Sequence, residues 1–267
     1  MRFCGIVFLA LIAFAACGGR STAEREFPTR ALDMGGRTYN YRVFVPADRD
    51  PNKKIPVMLY LHGSNRRGND NRSQLLDIAA LFEKNPPPFI VVFPQCPNEL
   101  FWAGDAMRQA MAALDQTVKE FNGDENRLYL AGYSMGGYGA WQAAVTYPNK
   151  FAAIVPIAGG ILPNGQPSEE DKALLSPEVR LASERPDVYN AFAQAIGNTP
   201  VWVFHGSQDE AVPVEGARKM VEALHKAGNP NVKYTELENV GHGSVTAAFT
   251  EPTLYDWFVQ QQRQAAK

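Results

Sequence analysis

Ser134 stands at the centre of Gly132-Tyr-Ser-Met-Gly136, and His205, His225 and His242 follow it in the chain. A serine hydroxyl is a weak nucleophile until a neighbouring base takes its proton, and the base needs an acidic group to hold its tautomer. Around a G-x-S-x-G serine the partners follow in the order serine, acid, histidine. His225 falls among Lys219, Glu222 and Lys226 on a helical segment, a solvated position. His205 closes an apolar run and leads into Gly206-Ser-Gln-Asp209, so it reads as a packed histidine supporting the acid's loop. His242 lies in Asn239-Val-Gly-His-Gly-Ser244, a glycine-bracketed loop where a mobile imidazole belongs, and is the expected general base. Asp209 follows the strand Val201–Phe204 and precedes a helix, which makes it the expected acid. Glu210 is the alternative, and a helix-capping aspartate is the bland reading. The chemistry open to such a set is acyl transfer, with Ser134 attacking a carbonyl and His242 carrying the proton.

These groups work only if the backbone presents them. Ser134 follows an apolar strand, Arg127–Ala131, and opens a helix at Met135. Gly132, Gly136 and Gly137 let the chain turn sharply and let strand and helix approach closely. The serine then sits at a helix N-terminus, where free N–H groups can stabilise an oxyanion. The competing reading is a glycine-rich turn without chemistry. Further apolar runs occur at Ile55–Leu61, Phe89–Phe93, Arg127–Gly132, Ala152–Ile157, Val201–Phe204 and Val232–Leu237. Continuous runs suit strands of a parallel sheet buried on both faces. Between them lie predicted helices at Ser73–Lys84, Asp105–Phe121, Met135–Tyr147, Val214–Ala227 and Thr246–Gln262. Alternating β and α elements predict an α/β fold with a doubly wound, mostly parallel sheet. Residues 29–34 and 37–46 predict an N-terminal antiparallel hairpin around Gly35-Gly36. The proline-rich, charged stretch 161–199 breaks the rhythm. It is expected to be a short cap insertion over the sheet's carboxyl edge, where open α/β sheets bind ligands, or else a solvated excursion.

With these residues in hand, the chain resembles the α/β-hydrolase superfamily. The carriers are Leu61-His-Gly-Ser64, Gly132-Tyr-Ser-Met-Gly-Gly137, His205-Gly-Ser-Gln-Asp209 and Gly241-His-Gly243. It is most similar to secreted esterases related to feruloyl and acetylxylan esterases, to polyhydroxyalkanoate depolymerases and to a group called predicted peptidases. The resemblance covers residues 29–262 and implies an oxyanion hole from the N–H groups of Ser64 and Met135, with His62 bracing the loop. It also implies that Pro94-Gln-Cys-Pro97 and Trp102 border the pocket, with Trp102 touching substrate or else packed in the core. One departure is Ser64-Asn-Arg-Arg-Gly68 where relatives often carry a glycine-rich loop. Arg66 and Arg67 would there select a substrate carboxylate or serve as solvated loop charges.

The implied activity is hydrolysis of carboxylic esters, on small acyl or aryl esters or polysaccharide-linked ones, with no cofactor. A serine peptidase acting on small peptides is the second reading. Oligopeptidase relatives add a propeller or large cap, for which 267 residues leave no room. A non-catalytic binding protein on the same fold is the third, disfavoured because all three triad members are present. A formal net charge of −2 offers no nucleic-acid surface. The four scattered histidines and the absence of CxxC argue against a metal site.

Arg2 precedes the apolar run Ile6–Ala16, shorter than the roughly 20 residues a membrane span needs. Residues 1–17 therefore read as a signal peptide. Phe14-Ala-Ala-Cys17-Gly18 resembles the lipobox of bacterial lipoproteins, although Leu is usual where Phe14 stands. That resemblance implies an acylated Cys17 anchoring an exported protein to a membrane; plain cleavage would release it to the periplasm or the exterior. Residues 18–28 form a tether before the domain at 29–267. With Cys4 removed and Cys17 acylated, Cys96 would be the only thiol left, which excludes an intramolecular disulfide.

Overall fold

The computed structural model describes residues 27–162 and 169–263. The predicted signal peptide, Cys17 and most of the tether lie outside the described residues.

Among the described residues, eight strands form one sheet in the order β1-β2-β4-β3-β5-β6-β7-β8. The antiparallel edge is β1 (Thr29–Met34) and β2 (Arg37–Phe44). The parallel body is β3 (Ile55–Leu61), β4 (Ile90–Pro94), β5 (Gly123–Tyr133), β6 (Ala153–Ile157), β7 (Val201–Gly206) and β8 (Val232–Leu237). Strand β2 pairs antiparallel with β4 and joins the two parts. The predicted second strand of the hairpin ends early, at Phe44, because Pro46 has no N–H to continue the ladder and restricts Val45.

The helices are α1 (Ala79–Lys84), α2 (Gly104–Glu120), α3 (Met135–Thr146), α4 (Glu169–Leu174), α5 (Pro177–Ser183), α6 (Val188–Ile196), α7 (Glu215–Lys226), α8 (Ser244–Phe249) and α9 (Leu254–Val259). Side chains alternate across the sheet with period two. Val57, Leu59, Leu128 and Leu130 pack with α2, α3, α6 and α7 on one face. Met58, Tyr60, Tyr129 and Ala131 pack with α1, α8 and α9 on the other. Strands β4, β6 and β7 are buried from end to end, as is β5 over Leu128–Gly132, whereas the edge strand β8 is only half-buried, unlike the fully covered strand predicted there.

Two predicted helices divide. Within Ser73–Lys84 a 3-10 turn covers Ser73–Leu75 and α1 starts only at Ala79. The Asp70 carboxylate accepts the N–H groups of Arg72 and Ser73 and fixes that turn. The predicted Thr246–Gln262 helix begins at Ser244 and breaks into α8 and α9 around Pro252, which cannot donate to a continuing helix.

The described part of the segment 161–199 packs against the main domain. Ser176 and Asp187 cap α5 and α6 through the N–H groups of Val179 and Asn190. Leu175, Val179, Phe192 and Ile196 enter the same core as α3. The described part of the segment extends the helical layer on that face, and Leu175, Ser176 and Glu178 line a cavity beside Trp102 and Gln142.

The strand order reverses at β3, which has β4 on one side and β5 on the other. Such a switch point opens a crevice at the carboxyl ends of the strands. The loops carrying His62, Ser64, Ser134, Asp209 and His242 all leave the sheet at that edge.

Candidate active site

Ser134 joins β5 directly to α3 with φ 55° and ψ −117°, a left-handed strain that an L-residue adopts only when its surroundings enforce it. They do so by contact. A Cβ on Gly132 would lie 2.0 Å from the Gly136 carbonyl oxygen, and one on Gly136 would lie 1.8 Å from that of Leu61. The Ser134 N–H donates to Ile157 O at 2.9 Å and ties the turn to β6. The hydroxyl is thereby raised above the sheet edge.

His242 Nε2 lies 2.8 Å from Ser134 Oγ, and its Nδ1 lies 2.8 Å from Asp209 Oδ2. A carboxylate can only accept, so the ring proton sits on Nδ1 and Nε2 is free to receive the serine proton. The Asp209 side chain is fully buried. Its Oδ1 accepts the N–H groups of Ala211 at 3.0 Å and Val212 at 2.9 Å, which fixes the carboxylate plane. His205, also fully buried, places Nε2 2.9 Å from Val212 O and 3.3 Å from Asp209 Oδ2. It braces the acid's loop as expected of a packed histidine. His225 is exposed on α7. The structure thus brings Ser134, His242 and Asp209 into one hydrogen-bonded line and leaves His225 outside it.

Ser64 and Met135 are the first residues of a 3-10 turn and of α3. First-turn N–H groups have no partner within their own helix. Both residues line a cavity of about 270 Å³ with Ser134, Phe101, Trp102, Tyr138, Gln142 and Val212. The loop behind Ser64 is tied down. His62 accepts the Cys96 N–H on Nε2 at 3.0 Å and donates from Nδ1 to Gly63 O at 2.8 Å. Burial lowers its pKa from 6.5 to about 4, so it stays neutral. Gln95 accepts the Asn71 N–H and donates to Asp70 and to Arg66 O.

Arg66 pairs with Asp77 at 2.8 Å. Arg67 donates to Ser64 O at 3.1 Å and lies over the Phe101 ring. Arg66 is thus ion-paired, and Arg67 is held by a backbone carbonyl and a ring face. Trp102 is 2% exposed and donates its indole N–H to His62 O at 2.9 Å. It is both core residue and pocket wall. Tyr133, inside the pentapeptide but without a role in the sequence analysis, donates its hydroxyl to His242 O at 3.0 Å and lies tilted beside that imidazole at 5.3 Å. Among the described residues, no group of three or more His, Cys, Asp or Glu could hold a metal ion.

Comparison with known proteins fits this geometry. The profile of the prolyl oligopeptidase family matches residues 99–264. A bifunctional acetylxylan esterase/xylanase of Neocallimastix patriciarum is 27% identical over 232 residues, covering 83% of this chain and 28% of that protein. Feruloyl esterase B of Thermothelomyces thermophilus is 26% identical over 249 residues, covering 85% and 79%. The chain thus spans little more than a quarter of the first relative's length and most of the second's. Among solved structures, a thermostable esterase is 29% identical with a TM-score of 0.72, covering 90% of this chain and 64% of that one.

Proposed function

The chain belongs to the prolyl oligopeptidase family, and we propose that this member is a serine hydrolase of carboxylic esters. The observation that carries the reading is the continuous line Ser134 Oγ, His242 Nε2, His242 Nδ1 and Asp209 Oδ2, with 2.8 Å at each contact. Ser134 attacks the ester carbonyl while His242 takes its proton. The N–H groups of Ser64 and Met135 stabilise the tetrahedral oxyanion, where charge develops beside fixed donors. His242 then protonates the departing alcohol. Water, deprotonated by the same imidazole, releases the acid from the acyl-enzyme. Asp209 holds the tautomer and stabilises the imidazolium.

Similarity to an acetylxylan esterase/xylanase and a feruloyl esterase supports esters, including polysaccharide-linked ones, as the substrate class. The family match itself favours a second reading, a peptidase for short peptides. Rates on p-nitrophenyl acetate and on a peptide p-nitroanilide separate the two. Ester hydrolysis with fluorophosphonate labelling of Ser134 is the expected result; preferential cleavage of the anilide would replace it with the peptidase.

For localisation, the proposal is an exported protein held at a membrane by an acylated Cys17, supported by the apolar run Ile6–Ala16 and the segment Phe14–Gly18. Several acyl chains at about 0.8 kcal/mol per buried CH₂ give a stable anchor. Mass spectrometry of the mature N-terminus tests it, and an unmodified terminus excludes it.

A further inference from the structure

Gln142 lies on α3, two turns beyond Ser134, and is 7% exposed. Its backbone carbonyl accepts the Thr146 hydroxyl, but its side-chain amide hydrogen-bonds to no described residue. The amide faces the open space of the cavities, so a guest that displaces the water there must replace the hydrogen bonds it gives up. Gln142 opens onto two cavities that it lines together with Trp102. One is the cavity of about 270 Å³ over Ser134, with Phe101, Met135, Tyr138 and Val212 as its larger apolar walls. The other, about 470 Å³, lies between the start of α2, the end of α3 and the start of α5.

The second cavity is rich in hydroxyls and carboxylates. Thr146 and Ser176 face each other at 2.9 Å, and Tyr147, Asp105, Arg108 and Glu178 complete the polar wall. Asp105 pairs with Arg108, whereas Glu178 makes no ion pair among the described residues. The unpaired carboxylate disfavours an anionic guest. An alkyl guest would leave the Gln142 amide unsatisfied. A sugar ring satisfies both, because vicinal hydroxyls donate to the carboxylates and both donate to and accept from an amide.

We infer that this second cavity is the subsite for a sugar ring carrying the ester, with Gln142 as the residue that selects it. The inference rests on the reading of Ser134 as an esterase nucleophile. The scissile carbonyl and a small acyl group occupy the cavity over Ser134, and the polyhydroxylated leaving group occupies its neighbour.

The test compares kcat/KM on acetylated xylobiose and on butyl acetate for the full chain and for Gln142→Met, with fluorophosphonate labelling of Ser134 alongside. A site built to hydrogen-bond a hydroxylated group loses discrimination when that bond is removed, so the sugar preference is expected to shrink by about tenfold or more. Glu178→Gln, at an exposed position that tolerates change, is expected to raise KM for the sugar ester several-fold and serves if Gln142→Met does not fold. Labelling of Ser134 without a preference for the sugar ester in the wild type overturns the subsite alone. So does an equal loss on both substrates in Gln142→Met, or an unchanged KM in Glu178→Gln. Absence of both labelling and ester hydrolysis overturns the esterase reading, and the subsite with it.

Discussion

His205 Nε2 lies 3.3 Å from Asp209 Oδ2, the same oxygen that His242 Nδ1 meets at 2.8 Å. One carboxylate oxygen therefore faces two imidazoles, one hydrogen-bonded to Ser134 and one sealed in the core. The buried ring must carry its proton on Nε2, because the Val212 carbonyl at 2.9 Å can only accept. His205→Leu removes that donor and leaves Val212 O without it, at a cost of about 1–3 kcal/mol. The expected outcome is a lower urea midpoint with part of the esterase rate retained. An unchanged midpoint would show that His205 contributes nothing to the acid loop.

Asp209→Asn should be far more damaging to rate than to stability. Asparagine can donate an N–H toward His242 Nδ1 and so favour the tautomer that protonates Nε2, facing Ser134. Comparable substitutions in serine triads cost about 10⁴ in kcat. Steady-state kinetics on p-nitrophenyl acetate, with circular dichroism as the fold control, give the measurement. A loss under about tenfold would move the acid's role away from Asp209, with Glu210 the first place to look.

Much of the site was legible because its chemistry is bound to chain order and to glycine. Gly132 and Gly136 announced a turn that no Cβ could enter, and Asp209 and His242 followed Ser134 at the ends of strands. The doubly wound sheet followed from buried runs separated by helix-length segments. What the sequence withheld depends on distant partners. Arg66 and Arg67 look like free loop charges until Asp77, the Ser64 carbonyl and the Phe101 ring are seen to hold them. Gln142 looks like any mid-helix glutamine, because its lack of a partner is decided by Trp102 and by the segment around Ser176. The helix predicted through Pro252 failed because its apolar spacing outweighed a proline that cannot donate.

Gly136→Ala tests the elbow without touching a reacting group. The added methyl would stand 1.8 Å from Leu61 O, which is backbone and cannot rotate away. Relief requires moving α3 off β3, so the cost should reach about 3 kcal/mol or more, the upper range for overpacking. The expected result is a markedly lower melting temperature, or insoluble protein, together with lost fluorophosphonate labelling. Normal stability would mean that the close approach of strand and helix is not required.

His62 makes stability depend on pH in a defined window. Burial lowers its pKa from 6.5 to about 4, and its lone pair on Nε2 is occupied by the Cys96 N–H. Above 6.5 the ring is neutral in both folded and unfolded chains and contributes no pH dependence. Between 6.5 and about 4 the unfolded chain takes up a proton that the folded chain refuses, so stability falls as pH falls. At about 1.36 kcal/mol per pKa unit the full loss is roughly 3 kcal/mol, complete once pH drops below the folded value. His62→Gln keeps an acceptor for Cys96 and a donor for Gly63 but has no proton to gain. Urea unfolding at about pH 7.5 and about pH 4.5 should therefore show a smaller difference in the variant than in the wild type, whatever the variant's starting stability. Equal differences would remove His62 from the account of acid sensitivity.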